Sequence, residues 1–467
     1  MKSLTYYSSL YTISAIIVKS TAFLSILWIG KNFNADEYAY FALLFSFHQG
    51  ISTFGAAGIK EAVVGFFKNI SSSQERELLF SNVALSILPS ILLILFFSLI
   101  IYFFHLENNN PDLIFVCFFF TLFSGILTSI SIFKSHMNRL NEDHFGSIIY
   151  LFIPQLIIFI SGIFSILVYN NPQYFFIGSS MSLIIFLFFI KLLYNKNVLK
   201  LNYSDITKKI IYASLPYFVI AFTGWLKGYG NNFIINIYLD NFEIAAYSFL
   251  FTFSGILLMI SDSLNTVWTP RIFNTFSKSP LEKIEKQNNF FYGLLAIILG
   301  IAVSIILLIY PYLLQFIGGN LVLYSKMPFE LYLVLLSYII YTPIWHYRIH
   351  YYVHSLGKKL MSITIKSSII GLLNIIFCIK YLGSIGIYLG FLSFTLINLF
   401  YIVFSSYKRW DLKINWFGVL IGCLISSVSF FIIYIEKNIL LSIMFIIISM
   451  LATLIYIKNT KSKLSIS

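Results

Sequence analysis

The chain is a succession of apolar runs, each about twenty residues long and separated by short polar clusters. A helix needs roughly 20 residues to cross a bilayer, whereas a barrel strand needs about ten with alternating polarity. Lipid offers the backbone no partners, so runs of this length satisfy their own N–H and C=O groups as helices. Of 467 residues, 59% are hydrophobic and only 10% charged, and 50 are phenylalanine. The mean hydropathy is +0.86. A soluble domain carries about 25% charged residues and has too little interior for this much apolar surface. A cytosolic enzyme, a nucleic-acid binder and a secreted disulfide scaffold are excluded.

The sequence therefore predicts an all-α, polytopic membrane protein of about 14 transmembrane helices. The expected spans are 8–31, 39–66, 81–104, 113–135, 146–169, 174–194, 211–238 and 243–269, then 289–311, 329–352, 362–381, 384–406, 416–435 and 438–457. Charge tests the count. With the amino terminus inside, twenty-three Lys and Arg fall in inner loops and four (Lys31, Lys326, Lys380 and Lys437) in outer loops. That asymmetry follows the positive-inside rule and places both termini in the cytoplasm. The net charge of +13 is thus a topology signal rather than a nucleic-acid footprint. The amino terminus lacks a short apolar region followed by a small-residue cleavage site and reads as a retained first helix. Cys117, Cys378 and Cys423 lie inside apolar runs and read as small hydrophobes. No loop is long enough to fold alone, so function must lie among the helices.

Residues 34–47 and 240–253 align at an offset of 206. Glu37 meets Glu243, Ala39 meets Ala245, Leu44-Phe45 meets Leu250-Phe251, Ser46 meets Thr252 and Phe47 meets Phe253. Tyr11 with Tyr217 and Ala15 with Ala221 extend the match into the preceding helix. Both copies start inside, so the chain reads as a parallel duplication, an arrangement that in transporters encloses a midplane site.

The remaining basic residues lie within spans. Lys19 is eleven residues into the first span, about 16 Å at 1.5 Å per residue. A lysine that deep costs ~2.5 kcal/mol or more unless it faces water or a partner. Lys227 sits similarly deep in the span 211–238. Both are too far from an interface to snorkel, so a cavity-facing role is expected for each. Lys60, Glu61 and Asp262 lie nearer the cytoplasmic ends of their spans, where a local ion pair is as natural as a functional site. Lys366 is one turn inside its span and reads as a snorkelling side chain. A cationic, water-accessible pocket favours an anion such as phosphate or diphosphate. His346, His350 and His354 share one helical face; with Tyr, Trp and Arg beside them they read chiefly as interface anchors, ahead of a proton relay or a metal stripe. His48 reads as a hydrogen-bonded bundle residue.

From span 211–238 onward, several short stretches occur in a familiar order: Tyr212-Ala-Ser-Leu-Pro216, Asn231-Asn-Phe-Ile-Ile235, Glu243-Ile-Ala-Ala-Tyr247, Trp268-Thr-Pro-Arg271 and Leu356-Gly-Lys-Lys359, with Asn374, Gly383-Ser-Ile-Gly386 and Gly390. This succession resembles the polysaccharide-transporter branch of the multidrug/oligosaccharidyl-lipid/polysaccharide exporter superfamily, especially the O-antigen (Wzx-like) flippases. The resemblance implies two six-helix bundles, residues 1–200 and 201–411, with 412–467 as an extra helix pair and short tail. It implies a bacterial inner-membrane flippase moving undecaprenyl-diphosphate-linked oligosaccharide to the outer leaflet by alternating access. Membrane lipids, the polymerase and the chain-length machinery of the same pathway would be its partners. Such families often carry arginine in the first helix and at the start of the second lobe. Lys19 and Asn231-Asn232 stand near those places here, with Lys227 as the substitute cation. Substrate binding is thus expected of Lys19, Lys227 and Lys60, and thirty-two Tyr offer surface on which sugars stack. The competing reading is a cation-coupled multidrug antiporter of the same superfamily, with Glu61 and Asp262 as ion-coupling carboxylates to a proton or sodium gradient. A membrane glycosyltransferase or polymerase needs a large outer catalytic loop, so an enzyme is not expected, nor a bound cofactor or metal.

Overall fold

The computed structural model describes residues 20–21, 23–66, 111–140, 143–194, 205–276, 281–354, 356–410 and 413–464, and they are helical apart from short turns. Lys19 and the expected span 81–104 lie outside the described residues. After a helical stretch at 23–32 come α1 (Ala35–Phe66), α2 (Pro111–Leu140), α3 (His144–Tyr169), α4 (Phe175–Tyr194), α5 (Asp205–Lys227), α6 (Asn231–Tyr238) and α7 (Asn241–Phe276). Next are α8 (Leu281–Ile317), the one-turn α9 (Leu321–Tyr324), α10 (Pro328–Val353), α11 (Gly357–Leu382), α12 (Ser384–Trp410), α13 (Trp416–Phe430) and α14 (Ile439–Leu464). Nine of the described helices are long and apolar enough to cross a membrane, and each falls on an expected span. The protein is a multi-pass α-helical membrane protein.

Helix boundaries follow from local chemistry. Asp143 caps α3 by accepting from Gly146 N at 2.9 Å, and α3 closes on Asn170 in the left-handed conformation, which asparagine tolerates. Proline opens α2 and α10, where a missing N–H goes unmissed. The two aligned segments start alike. Glu37 N donates to Asn34 Oδ1 at 2.9 Å while Asn34 N donates back to the Glu37 carboxylate at 3.1 Å. At the equivalent places Glu243 N donates to Asp240 Oδ1 at 3.1 Å. The first is a capping box and the second shows its N-cap half, and such caps fix where a helix begins.

The chain divides into two compact units, Met1–Ser248 and Phe249–Ser467. In the first, α1 packs along both α2 and α5, and α3 pairs with α4. Phe47, Ile51, Phe54, Trp225 and Phe233 form a shared aromatic core there. In the second unit α11 pairs with α12, and α8 is held against α13. The α8–α13 contact is backbone on backbone. A β-carbon on Gly300 would lie 2.4 Å from the Gly422 carbonyl oxygen, and one on Gly422 would lie 2.3 Å from that of Ala296. Gly418 meets Gly293 in the same way. Small residues at four-residue spacing let membrane helices approach this closely. Tyr332–Ser427 at 2.7 Å ties α10 to α13, and Tyr434 OH donates to Leu307 O of α8 at 2.7 Å.

Candidate functional site

The span expected over 211–238 is not one helix. α5 stops at Lys227, residues 228–230 form a tight turn, and α6 restarts at Asn231. The glycines of Gly228-Tyr-Gly230 explain the break, since each costs a helix interior ~1 kcal/mol relative to alanine. Hydrogen bonding changes register across the turn. Gly230 N reaches Trp225 O at 2.8 Å, five residues back, whereas Asn231 N and Asn232 N reach only three residues back, to Gly228 O and Tyr229 O. A freed carbonyl at membrane depth costs several kcal/mol if left dry. Here the Tyr247 hydroxyl lies 3.5 Å from Lys227 O and donates at 3.0 Å to Gly228 O, which also accepts from Asn231 N. Broken helices with such local support are where transporters place their binding groups.

Polar side chains gather at the break. Lys227 is 9% exposed, and Asn231 and Asn232 are fully buried. Asn232 Nδ2 donates to Ser46 Oγ at 2.7 Å, and Trp225 Nε1 donates to Ser46 O at 2.7 Å. The indole reaches that carbonyl because residue 50 is glycine: a β-carbon there would lie 2.8 Å from Trp225 Nε1. Among the described residues neither amide atom of Asn231 has a hydrogen-bond partner, nor does Asn232 Oδ1. A buried amide left unmatched loses ~1–3 kcal/mol. The site therefore offers an ammonium group, an unmet N–H donor and unmet carbonyl acceptors within one turn of chain. It is chemically suited to an anion flanked by hydroxyl groups.

The other expected residues are placed as follows. Lys60 and Glu61 lie on the last two turns of α1, and their side chains are outside what is described. Asp262 is an exposed residue of α7, and Lys366 is exposed on α11. His48 is a buried bundle residue, 3.4 Å from Thr128 Oγ1 of α2 and 5.1 Å from the Phe176 ring. The histidine face differs from its expected anchoring role. His346 and His350 are 1% and 0% exposed, and only His354 reaches the surface. Helical spacing gives a common face but not which face meets the bundle. Here it meets α8: Asn288 Nδ2 lies 2.8 Å from His346 Nδ1, while Trp268 Nε1 donates to Asn288 Oδ1 at 2.9 Å. Ser46, Tyr247 and this indole–amide–imidazole chain were not readable as site residues, because their partners lie about 20 to 186 residues away.

The arrangement of helices is that of known membrane flippases and multidrug transporters. Over 97% of this chain and 99% of the other, it matches the lipid II flippase MurJ in an inward closed conformation, with a TM-score of 0.63 and 16% identity. The MATE multidrug transporter DinF-BH matches 88% of this chain over 97% of its own, at TM-score 0.59 and 15% identity. An inward-facing multidrug resistance MATE family transporter of the MOP superfamily matches 90% over 98%, at TM-score 0.59 and 14% identity. These likenesses define the fold. No curated protein sequence matches the chain. The family model described as "Polysaccharide biosynthesis protein" matches residues 4–276. The chain belongs to that family.

Proposed function

We propose that the protein is a flippase that carries an undecaprenyl-diphosphate-linked oligosaccharide, an O-antigen or similar repeat unit, from the inner to the outer leaflet by alternating access. The observation that carries this reading is Lys227: a buried cation near an unmatched amide, at a break in an expected membrane span, in a member of a polysaccharide biosynthesis family. Lys227 holds the diphosphate, with Lys19 and Lys60 as further cations on the path. Asn231 and Asn232 meet the hydroxyl groups next to it. A charge-assisted contact to phosphate is stronger in a partly dehydrated site than in water. The protein works in a bacterial inner membrane with both termini in the cytoplasm, supplying the polymerase and chain-length machinery of its pathway. The deciding experiment is mass spectrometry of the lipid fraction from a deletion strain. It should accumulate a lipid-diphosphate-linked repeat unit that disappears when the gene is restored; absence of any such lipid removes this reading.

The multidrug antiporter remains the second reading, supported by the two MATE likenesses and by the carboxylates Glu61 and Asp262. If either carboxylate couples an ion, Glu61→Gln or Asp262→Asn should abolish the pH or sodium dependence of transport while leaving substrate binding intact. Equal transport by both variants under every gradient assigns them a structural role.

Topology is tested separately. Cysteines introduced at Asn171 and Asn320 should react with an impermeant maleimide added outside intact cells, whereas one at Lys358 should react only after permeabilisation. Reversed reaction at any of the three breaks the span assignment.

A further inference from the structure

We propose that His346 is a proton-operated switch whose state is read by Trp268 through the amide of Asn288. The argument rests on which atoms can donate. An indole N–H only donates, so the atom of Asn288 facing Trp268 Nε1 at 2.9 Å is the carbonyl oxygen. The amide NH2 must then face His346. Its hydrogens point to His346 Nδ1 at 2.8 Å and to the His346 carbonyl at 3.5 Å. Nδ1 is therefore the acceptor, and a neutral imidazole whose Nδ1 accepts carries its hydrogen on Nε2. One donor-only group on α7 thus fixes the tautomer of a histidine on α10 through an amide on α8. Trp268, Asn288 and His346 all lie in the second unit.

A proton arriving from solution binds the Nδ1 lone pair and gives an imidazolium with N–H at both nitrogens. Nδ1–H then faces the NH2 of Asn288, donor against donor. The amide relieves this only by turning over, which presents Oδ1 to His346 and NH2 to Trp268. The indole N–H loses its acceptor, and α7 keeps only the Tyr292–Asn265 bond of the two polar ties to α8 described here. Protonation of a residue on α10 is so converted into release of a residue on α7. Several groups surround the ring. His350 lies one turn along α10 at 5.4 Å between ring centroids, and Tyr292 of α8 at 6.2 Å, its hydroxyl donating to Asn265 of α7. The segment entering α13 brings the Lys413 backbone, whose N–H is taken by Glu285 of α8 at 2.8 Å. A cavity of ≈ 10 Å³ with His346, Thr342 and Asn415 in its wall adjoins the site, about the room of a single water. The inference is independent of the transported substrate.

The test is ¹⁹F NMR of the full-length protein carrying 5-fluorotryptophan in lipid nanodiscs, with the Trp268 resonance assigned by its loss in Trp268→Phe. Between about pH 7 and pH 3 the Trp268 resonance should move between two limits. In His346→Gln there is no proton to bind and the movement should vanish. In Asn288→Asp a carboxylate accepts from indole and imidazolium together, so the indole keeps its bond and the movement should vanish as well. The other five tryptophan resonances report whether each variant is folded; if one variant is not, the other decides. A Trp268 resonance that stays fixed in the unaltered protein, or that still moves in a folded His346→Gln or Asn288→Asp, overturns the switch.

Discussion

Lys227→Gln should reduce surface polysaccharide to the level of a deletion strain while the protein still inserts in normal amount. Lys227 ends α5 with 9% of its surface exposed, close in sequence to the buried neutral amides of Asn231 and Asn232. Glutamine keeps length and polarity but removes the charge, so the loss isolates electrostatics from packing. A hydrogen bond to a charged group contributes ~1.5–3 kcal/mol, or about 10–100-fold in affinity. Lys227→Arg should recover most of the polymer, since guanidinium also binds phosphate oxygens. Normal polymer from Lys227→Gln would show that the ammonium group is merely tolerated. A Lys227→Arg variant as inactive as Lys227→Gln would place the requirement on shape rather than charge.

Gly422→Leu should prevent recovery of folded protein. The β-carbon direction of Gly422 runs into the Ala296 carbonyl oxygen at 2.3 Å, and the obstacle is backbone, which has no rotamer to yield. Over-packing a core typically costs 1–3 kcal/mol when side chains can move aside; here α8 and α13 must separate along their length. Gly422→Ala should lower the melting temperature measurably, and Gly422→Leu should give aggregated material in size-exclusion chromatography at equal expression. Gly224 and Gly255, with no atom within 4 Å of an added β-carbon, are the controls and should accept alanine with little change. A well-folded Gly422→Leu would mean that the α8–α13 contact is looser than described.

Much of the fold was legible because bilayer thickness sets a length, and a twenty-residue apolar run meets it whatever its neighbours are. The helix caps at Asn34–Glu37 and Asp240–Glu243 were visible as aligned residues, since a cap is a local interaction. The break at Gly228–Gly230 was hidden by hydropathy: two glycines and a tyrosine barely lower the apolar average of 211–238. Lys227 was singled out by depth alone, and the break it adjoins depends on Ser46 and Tyr247, which carry no sequence signal of their own. The histidines failed for a different reason. Their common face was read correctly, yet only Asn288 and Trp268, on two other helices, decide that the face is interior.

The turn between α5 and α6 has a further consequence. Prolines inside α3, α5, α8 and α10 remove a hydrogen-bond donor for good, so any bend they make is permanent. The junction at 228–230 removes none. Gly230, Asn231 and Asn232 have exchanged four-residue partners for ones three or five residues back, and Tyr247 adds a second donor to the Gly228 carbonyl. Straightening would return each donor to its helical acceptor and release one tyrosine hydroxyl. Unlike a proline bend, this junction keeps every N–H group, so its bend is held by hydrogen bonds alone and not by covalent structure.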